Sequence, residues 1–122
     1  MAHRFIQIAV IYLVIGAALG MYMGINEDFL LHPVHAHLLL AGWLSLAMAG
    51  VIYQLYPAAG QTRLAKAHFW LHNLGLPAFM ASLALLLTGR EGLVPVVSAA
   101  ATLLFAGLVL FAVNVLRNVR AA

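Results

Sequence analysis

The sequence predicts an all-α integral membrane protein with four transmembrane helices, and three observations carry that prediction. Of its 122 residues, 66% are hydrophobic and only 7% charged, with a mean hydropathy of +1.05. No water-exposed domain of this size tolerates such a balance on its surface. Four charge-free apolar stretches, roughly 5 to 26, 33 to 57, 67 to 89 and 92 to 116, are each long enough to cross the about 30 Å hydrocarbon core as a helix. The charges, finally, are segregated: Arg4, Arg63, Lys66, Arg117 and Arg120 fall on one side of the alternating helices. Glu27, Asp28 and Glu91 share the other side with a single base, Arg90. Basic residues favour cytoplasmic loops, so both termini are expected inside. The whole chain, 1–122, reads as one four-helix domain, multi-pass and placed in a bacterial or archaeal plasma membrane.

The first stretch exceeds the length of a secretory signal and lacks a small-residue cleavage pattern, so it is expected to be retained. Its Gly16, Gly20 and Gly24 repeat a small-xxx-small pattern that lets helix backbones approach closely in lipid. The second helix opens with His32-Pro33-Val34-His35-Ala36-His37 and continues with Gly42, Trp43 and Gly50, thin faces against which a neighbour or a flat macrocycle could lie. Pro57, Gly60, Gln61 and Thr62 mark a polar hairpin loop over 57 to 66. The third helix carries His68 and His72 near its inner end, and Trp70, Tyr53 and Tyr56 fit an interfacial aromatic belt. The fourth has no ionisable residue between Glu91 and Arg117 and is expected to face lipid and scaffold.

Chemistry concentrates in the histidines. Ionisable residues at the mouth of a membrane helix are costly and by default bind something. His35 and His37 are two residues apart, which on an α-helix turns their imidazoles about 200° from one another. Such a pair serves two different pockets and cannot chelate one metal, which needs spacings of three or four. Haem is the guest this arrangement suggests. The absence of cysteine excludes disulfides, thiolate metal sites, iron–sulfur clusters and covalent attachment, so a haem would be held noncovalently as haem b. His32, just before Pro33, is expected at the helix cap.

His68 and His72 sit four apart and share a helix face, where they can chelate one metal or bond to water and backbone. Their expected depth differs from that of His35 and His37 by roughly 15 to 20 Å, so the two groups cannot share an iron. One chain therefore offers no two histidine-bearing helices at one depth. Bis-histidine ligation would join two copies, His35 of one and His37 of the next. An iron so saturated suits electron transfer or redox sensing, with a redox partner or quinone as counterpart, whereas oxygen or nitric oxide chemistry needs an open axial position. The alternatives are a copper or zinc site on His32 and His35, about 60° apart on one face, and a structural subunit of a larger complex. The few, dispersed basic residues give no nucleic-acid surface.

The run from His35 to Arg90 resembles the catalytic-subunit core of the haem-copper oxidase superfamily, which includes cytochrome oxidases and nitric oxide reductases. There a helix opens with histidine, any residue, histidine, and runs through glycines to a proline about twenty residues on; here stand His35, His37, Gly42, Gly50 and Pro57. Lys66-Ala67-His68-Phe69-Trp70 and Gly75 resemble the opening of the next family helix, and Arg90 stands where a family arginine pairs with haem propionates. The resemblance implies that the histidine-x-histidine pair ligates two haems in adjacent pores. It also implies that a homotrimer of this four-helix chain rebuilds the family's three-arc ring. The adjacent histidine pair and tyrosine-linked histidine of that family's copper centre have no counterpart here.

Overall fold

The computed structural model describes residues 1–121, and those residues form no strand. Four helices are long and apolar enough to cross a membrane: α1 (Ala2–Asn26), α2 (His32–Leu55), α3 (Arg63–Leu87) and α4 (Val94–Asn118), the last entered through a 3₁₀ turn at Glu91–Leu93. The even number returns both termini to one end of the bundle. There Met1, Ala2 and His3 line a small cavity with Tyr53, Gln54, Pro57, Gly60 and Gln61.

Local chemistry sets the ends. Helix α1 stops where Glu27 turns left-handed (φ 50°) and the Asp28 N–H bonds back to the Met23 carbonyl at 3.1 Å, closing the last turn. Asp28 then accepts the Leu30 N–H at 3.1 Å and steers the chain into α2. Pro33 lies in the first turn of α2, where its missing N–H leaves no intrahelical bond unmade. Thr62 caps α3 by accepting the Ala65 N–H at 3.1 Å. That cap starts α3 four residues before the expected 67, and Pro57–Gly60 is itself a single helical turn, so the loop over 57 to 66 shrinks to a pair of residues. The charged side chains of Arg63 and Lys66 point out from that added turn, where both are exposed.

Helix α2 is not uniform. It is α-helical over His32–His37, π-helical over Leu38–Leu44, and α-helical again over Ser45–Leu55. A π segment accommodates an extra residue in a helix, so the two flanking pieces are turned relative to each other by about one residue step, roughly 100°.

The helices pair as two hairpins, α1 with α2 and α3 with α4. Within each, glycine permits close approach. A methyl on Gly75 would fall 2.8 Å from the Leu104 nitrogen, and one on Gly107 would fall 3.2 Å from the His72 nitrogen, so α3 and α4 meet backbone to backbone. On α2, Gly42 receives the Tyr12 ring and Gly50 receives Phe5 and Ile6. Of the two occupants expected on the thin faces of α2, a neighbour or a flat macrocycle, it is the neighbour α1 that fills them at Gly42 and Gly50. Of the three α1 glycines, Gly16 and Gly20 face α2, whereas Gly24 has open space around it. Two apolar clusters stack between the hairpins: one near the termini, built on Phe5, Leu46, Tyr53 and Phe69, and one toward the other end, built on Val34, Leu38, Leu76, Met80 and Leu104.

Candidate functional site

The two histidine pairs end in opposite chemical states. His35 and His37 stand in the first turns of α2 and are each half-buried. His35 lies across Gly20, where a methyl would come within 2.6 Å of its Cε1, and its Nδ1–H donates to the Gly16 carbonyl of α1 at 2.8 Å. The His37 Nδ1–H donates to the Pro33 carbonyl one turn back at 2.7 Å, and its ring meets Phe79 of α3 edge-on at 5.2 Å. One imidazole faces α1 and the other α3, as the spacing predicts. In both rings the proton on Nδ1 leaves the Nε2 lone pair free, and neither Nε2 is sealed inside the chain. A second-atom bond of this kind fixes both tautomer and orientation of a metal-ligating histidine.

His68 and His72 are fully buried instead, on the interior face of α3. His72 Nε2 donates to the Ala41 carbonyl at 2.8 Å, which assigns its Nδ1 as acceptor from His68 Nε2–H at 3.2 Å. His68 Nδ1 then accepts the Tyr53 hydroxyl at 2.9 Å. Every ring nitrogen is engaged, so chelation of one metal by this pair, one of the two expectations for its spacing, is not available in this arrangement. Phe5 and Phe111 lie against the His68 ring at 5.1 and 5.0 Å, and Phe5 also meets Tyr53 at 5.2 Å, closing the chain off from lipid.

This arrangement corrects two sequence expectations. Tyr53 is no belt residue but one of the most deeply buried side chains, 2% exposed, while Tyr56 and Trp70 remain exposed. The level of His72 is that of Ala41, six residues below His35, or about 9 Å at the helical rise, because α3 begins earlier and its third turn reaches the middle of the bundle. The expected separation of 15 to 20 Å does not apply to it.

Other expected residues fall as follows. His32 is the first residue of α2 and exposed; Leu31 holds the cap position, and the rings of His32 and His35 lie 6.2 Å apart. Among the described residues no group of three or more His, Cys, Asp or Glu is placed to hold a metal ion, so a copper or zinc site on His32 and His35 has no third ligand from the same chain. Trp43 is half-buried and packs on the apolar cluster nearer the termini. Arg90 is exposed at the turn after α3, at the same end of the bundle as Asp28 and His32.

Sequence reasoning missed Asn114. It is fully buried on α4, donating to the Ala59 carbonyl at 3.0 Å and accepting from Asn118 at 2.8 Å. A carboxamide inside an apolar helix, followed four residues on by a second, was the available signal, since polar side chains turn inward in a membrane bundle. Helix α4 is thus scaffold with one polar anchor.

A small cavity of about 160 Å³, lined by Tyr22, Met23, Asp28, Leu30, Leu31 and Thr88, lies beside the N-terminal end of α2 but does not include His35 or His37. The cavity at the other end, about 190 Å³, does not include them either. Neither Nε2 has a hydrogen-bond partner within the chain, and neither is fully sealed from its surface. No family model matches the sequence, and neither a curated protein nor a solved structure is significantly similar to it.

Proposed function

We propose that this chain is a b-type haem-binding membrane protein, with each haem held at a subunit boundary between His35 of one copy and His37 of the next. One observation carries the reading: two half-buried imidazoles at one depth, each with Nδ1–H pinned to a backbone carbonyl and each with Nε2 unspent, facing opposite sides of one helix. The residues fit an axial ligand in tautomer and in support. They cannot both serve one iron within a chain, so the site needs a second copy, and the resemblance to one arc of the haem-copper oxidase core favours three. Bound haem would supply one-electron chemistry. The chain's own contributions are the two nitrogen ligands, the carbonyls of Gly16 and Pro33 that aim them, and Arg90 as propionate partner at the same end. With both axial positions filled by histidine, electron transfer or redox sensing is the fitting role. The charge asymmetry supports an orientation with both termini cytoplasmic.

A reduced-minus-oxidised absorbance spectrum of the purified protein, with native mass spectrometry on the same sample, tests this. A six-coordinate b-type spectrum and a trimer are expected. A folded preparation without a Soret band after haem addition, or a haem-loaded monomer, overturns the reading. A cysteine introduced at Asp28 should react with a membrane-impermeant reagent in intact cells. Reaction at Gln61 instead inverts the topology.

A further inference from the structure

The buried chain Tyr53–His68–His72 looks at first like a path for protons, but it ends on the carbonyl of Ala41, and an amide oxygen passes no proton onward. Its directionality serves another purpose. Each donor in it is aimed the same way, so the last one, His72 Nε2–H, is held against one carbonyl of the π segment of α2.

We infer that His72 is a positioning residue that clamps the π segment Leu38–Leu44 and so decides which way His35 and His37 face. The π geometry is rare and strained relative to α, and it persists where surroundings over-determine it. Two side chains do so here: His72 from α3 onto Ala41, and Ser45, whose hydroxyl donates to the Leu40 carbonyl at 2.8 Å. The segment begins at the residue after His37. Were it to relax to an α-helix, the histidine turn would rotate by about one residue step, roughly 100°, relative to the buried half of α2. His35 would leave Gly16 and Gly20, and His37 would leave Phe79, losing the contacts that aim both rings. The order of support runs from Tyr53, which fixes the His68 tautomer, through His68, which fixes that of His72, to the carbonyl. A bond from α3 to a carbonyl of α2, four residues beyond His37 on the same helix, thus sets the direction of both rings.

The functional importance of that direction rests on the haem reading, whereas the clamp itself can be read without haem. In ¹⁵N-histidine spectra of the full-length protein, His35 and His37 should show the Nδ1–H tautomer, and His68 and His72 the Nε2–H tautomer. His72→Leu should abolish the hydrogen-bonded Nδ1–H signal of His35 with helix content unchanged, and His72→Gln, which keeps a donor at the same reach, should retain it. If haem is bound, His72→Leu should also lower its affinity by about 10- to 100-fold, the usual effect of losing a residue that orients a metal ligand. Should His72→Leu fail to fold, deletion of Leu40 in that background removes the extra residue and restores the register without the clamp. Recovery of the His35 signal then supports the inference, and no recovery counts against it. An unchanged His35 signal in folded His72→Leu overturns the clamp, while a spectrum without haem but with the expected tautomer changes overturns only the haem reading.

Discussion

His35 and His37 carry the same side chains as His68 and His72, four helical residues in one small bundle, yet one pair is open and the other closed. The difference lies in spacing and in what stands opposite. Two residues apart, the first pair cannot reach each other, and each ring finds a backbone carbonyl with Nδ1 and keeps Nε2 free. Four apart, the second pair shares a face, so each ring is the other's partner, and Tyr53 and Ala41 complete the set. An intramembrane histidine is thus no ligand by virtue of being there. It is available as one only when its bonding leaves a lone pair unspent.

The sharpest way to break this contrast is to remove the open rings. His35→Ala and His37→Ala should each abolish six-coordinate haem in every pocket, read from the reduced spectrum. Co-assembling the two variants should restore part of it, because some boundaries then bring an intact His37 against an intact His35. Complete absence of recovery in verified mixed trimers refutes ligation in trans.

Next comes the support beneath His35. Gly20→Ala would push a methyl to within 2.6 Å of its Cε1, whereas Gly24→Ala meets nothing. The first should cost about 1–3 kcal/mol by overpacking and displace the ring, with weaker haem retention. The second should leave both melting temperature and haem content at wild-type values. Equal behaviour of the two variants would remove Gly20 from the site.

For the closed pair the expected damage is to stability. His68→Leu strips the partner from the Tyr53 hydroxyl and from His72 Nδ1, both buried, at about 1–3 kcal/mol for each group left unsatisfied. Tyr53→Phe orphans only His68 Nδ1 and should cost less. Unfolding in detergent by denaturant can rank them, and a more severe Tyr53→Phe would contradict the bonding order.

The smallest effect is expected at Arg90, exposed and far from the helix interiors. Arg90→Gln should loosen haem or shift its potential through loss of a charge-assisted contact with a propionate, without altering ligation. If neither affinity nor potential moves, Arg90 lies outside the site.

Four helices and the differing directions of His35 and His37 were legible in the sequence because the first follows from the length of the apolar runs and the second from helical period. The start of α3 was not. Arg63 and Lys66 ended the apolar count early, although Thr62 already held the capping position three residues before Ala65. Tyr53 was misplaced for a related reason: counting along a helix gives depth but not azimuth, and a tyrosine near the boundary looks alike whether it faces lipid or His68. The π segment leaves no mark in Leu38–Leu44, a run of ordinary helix formers apart from one glycine. The two side chains that hold it, His72 on α3 and Ser45, both lie outside the segment.

The hairpins differ in how they are joined. Inside each, glycines admit the partner helix, as side chains between α1 and α2 and as backbone between α3 and α4, while across the bundle the specific polar links are few: His72 to Ala41, Tyr53 to His68, and Asn114 to Ala59. During insertion, each hairpin can close in the bilayer as soon as its own two helices have entered, needing nothing from the other. Docking of the two is then the step at which the polar side chains leave the lipid and find one another. A chain cut between Gly60 and Gln61 and supplied as two pieces therefore carries, in those three links, the instructions for putting itself back together.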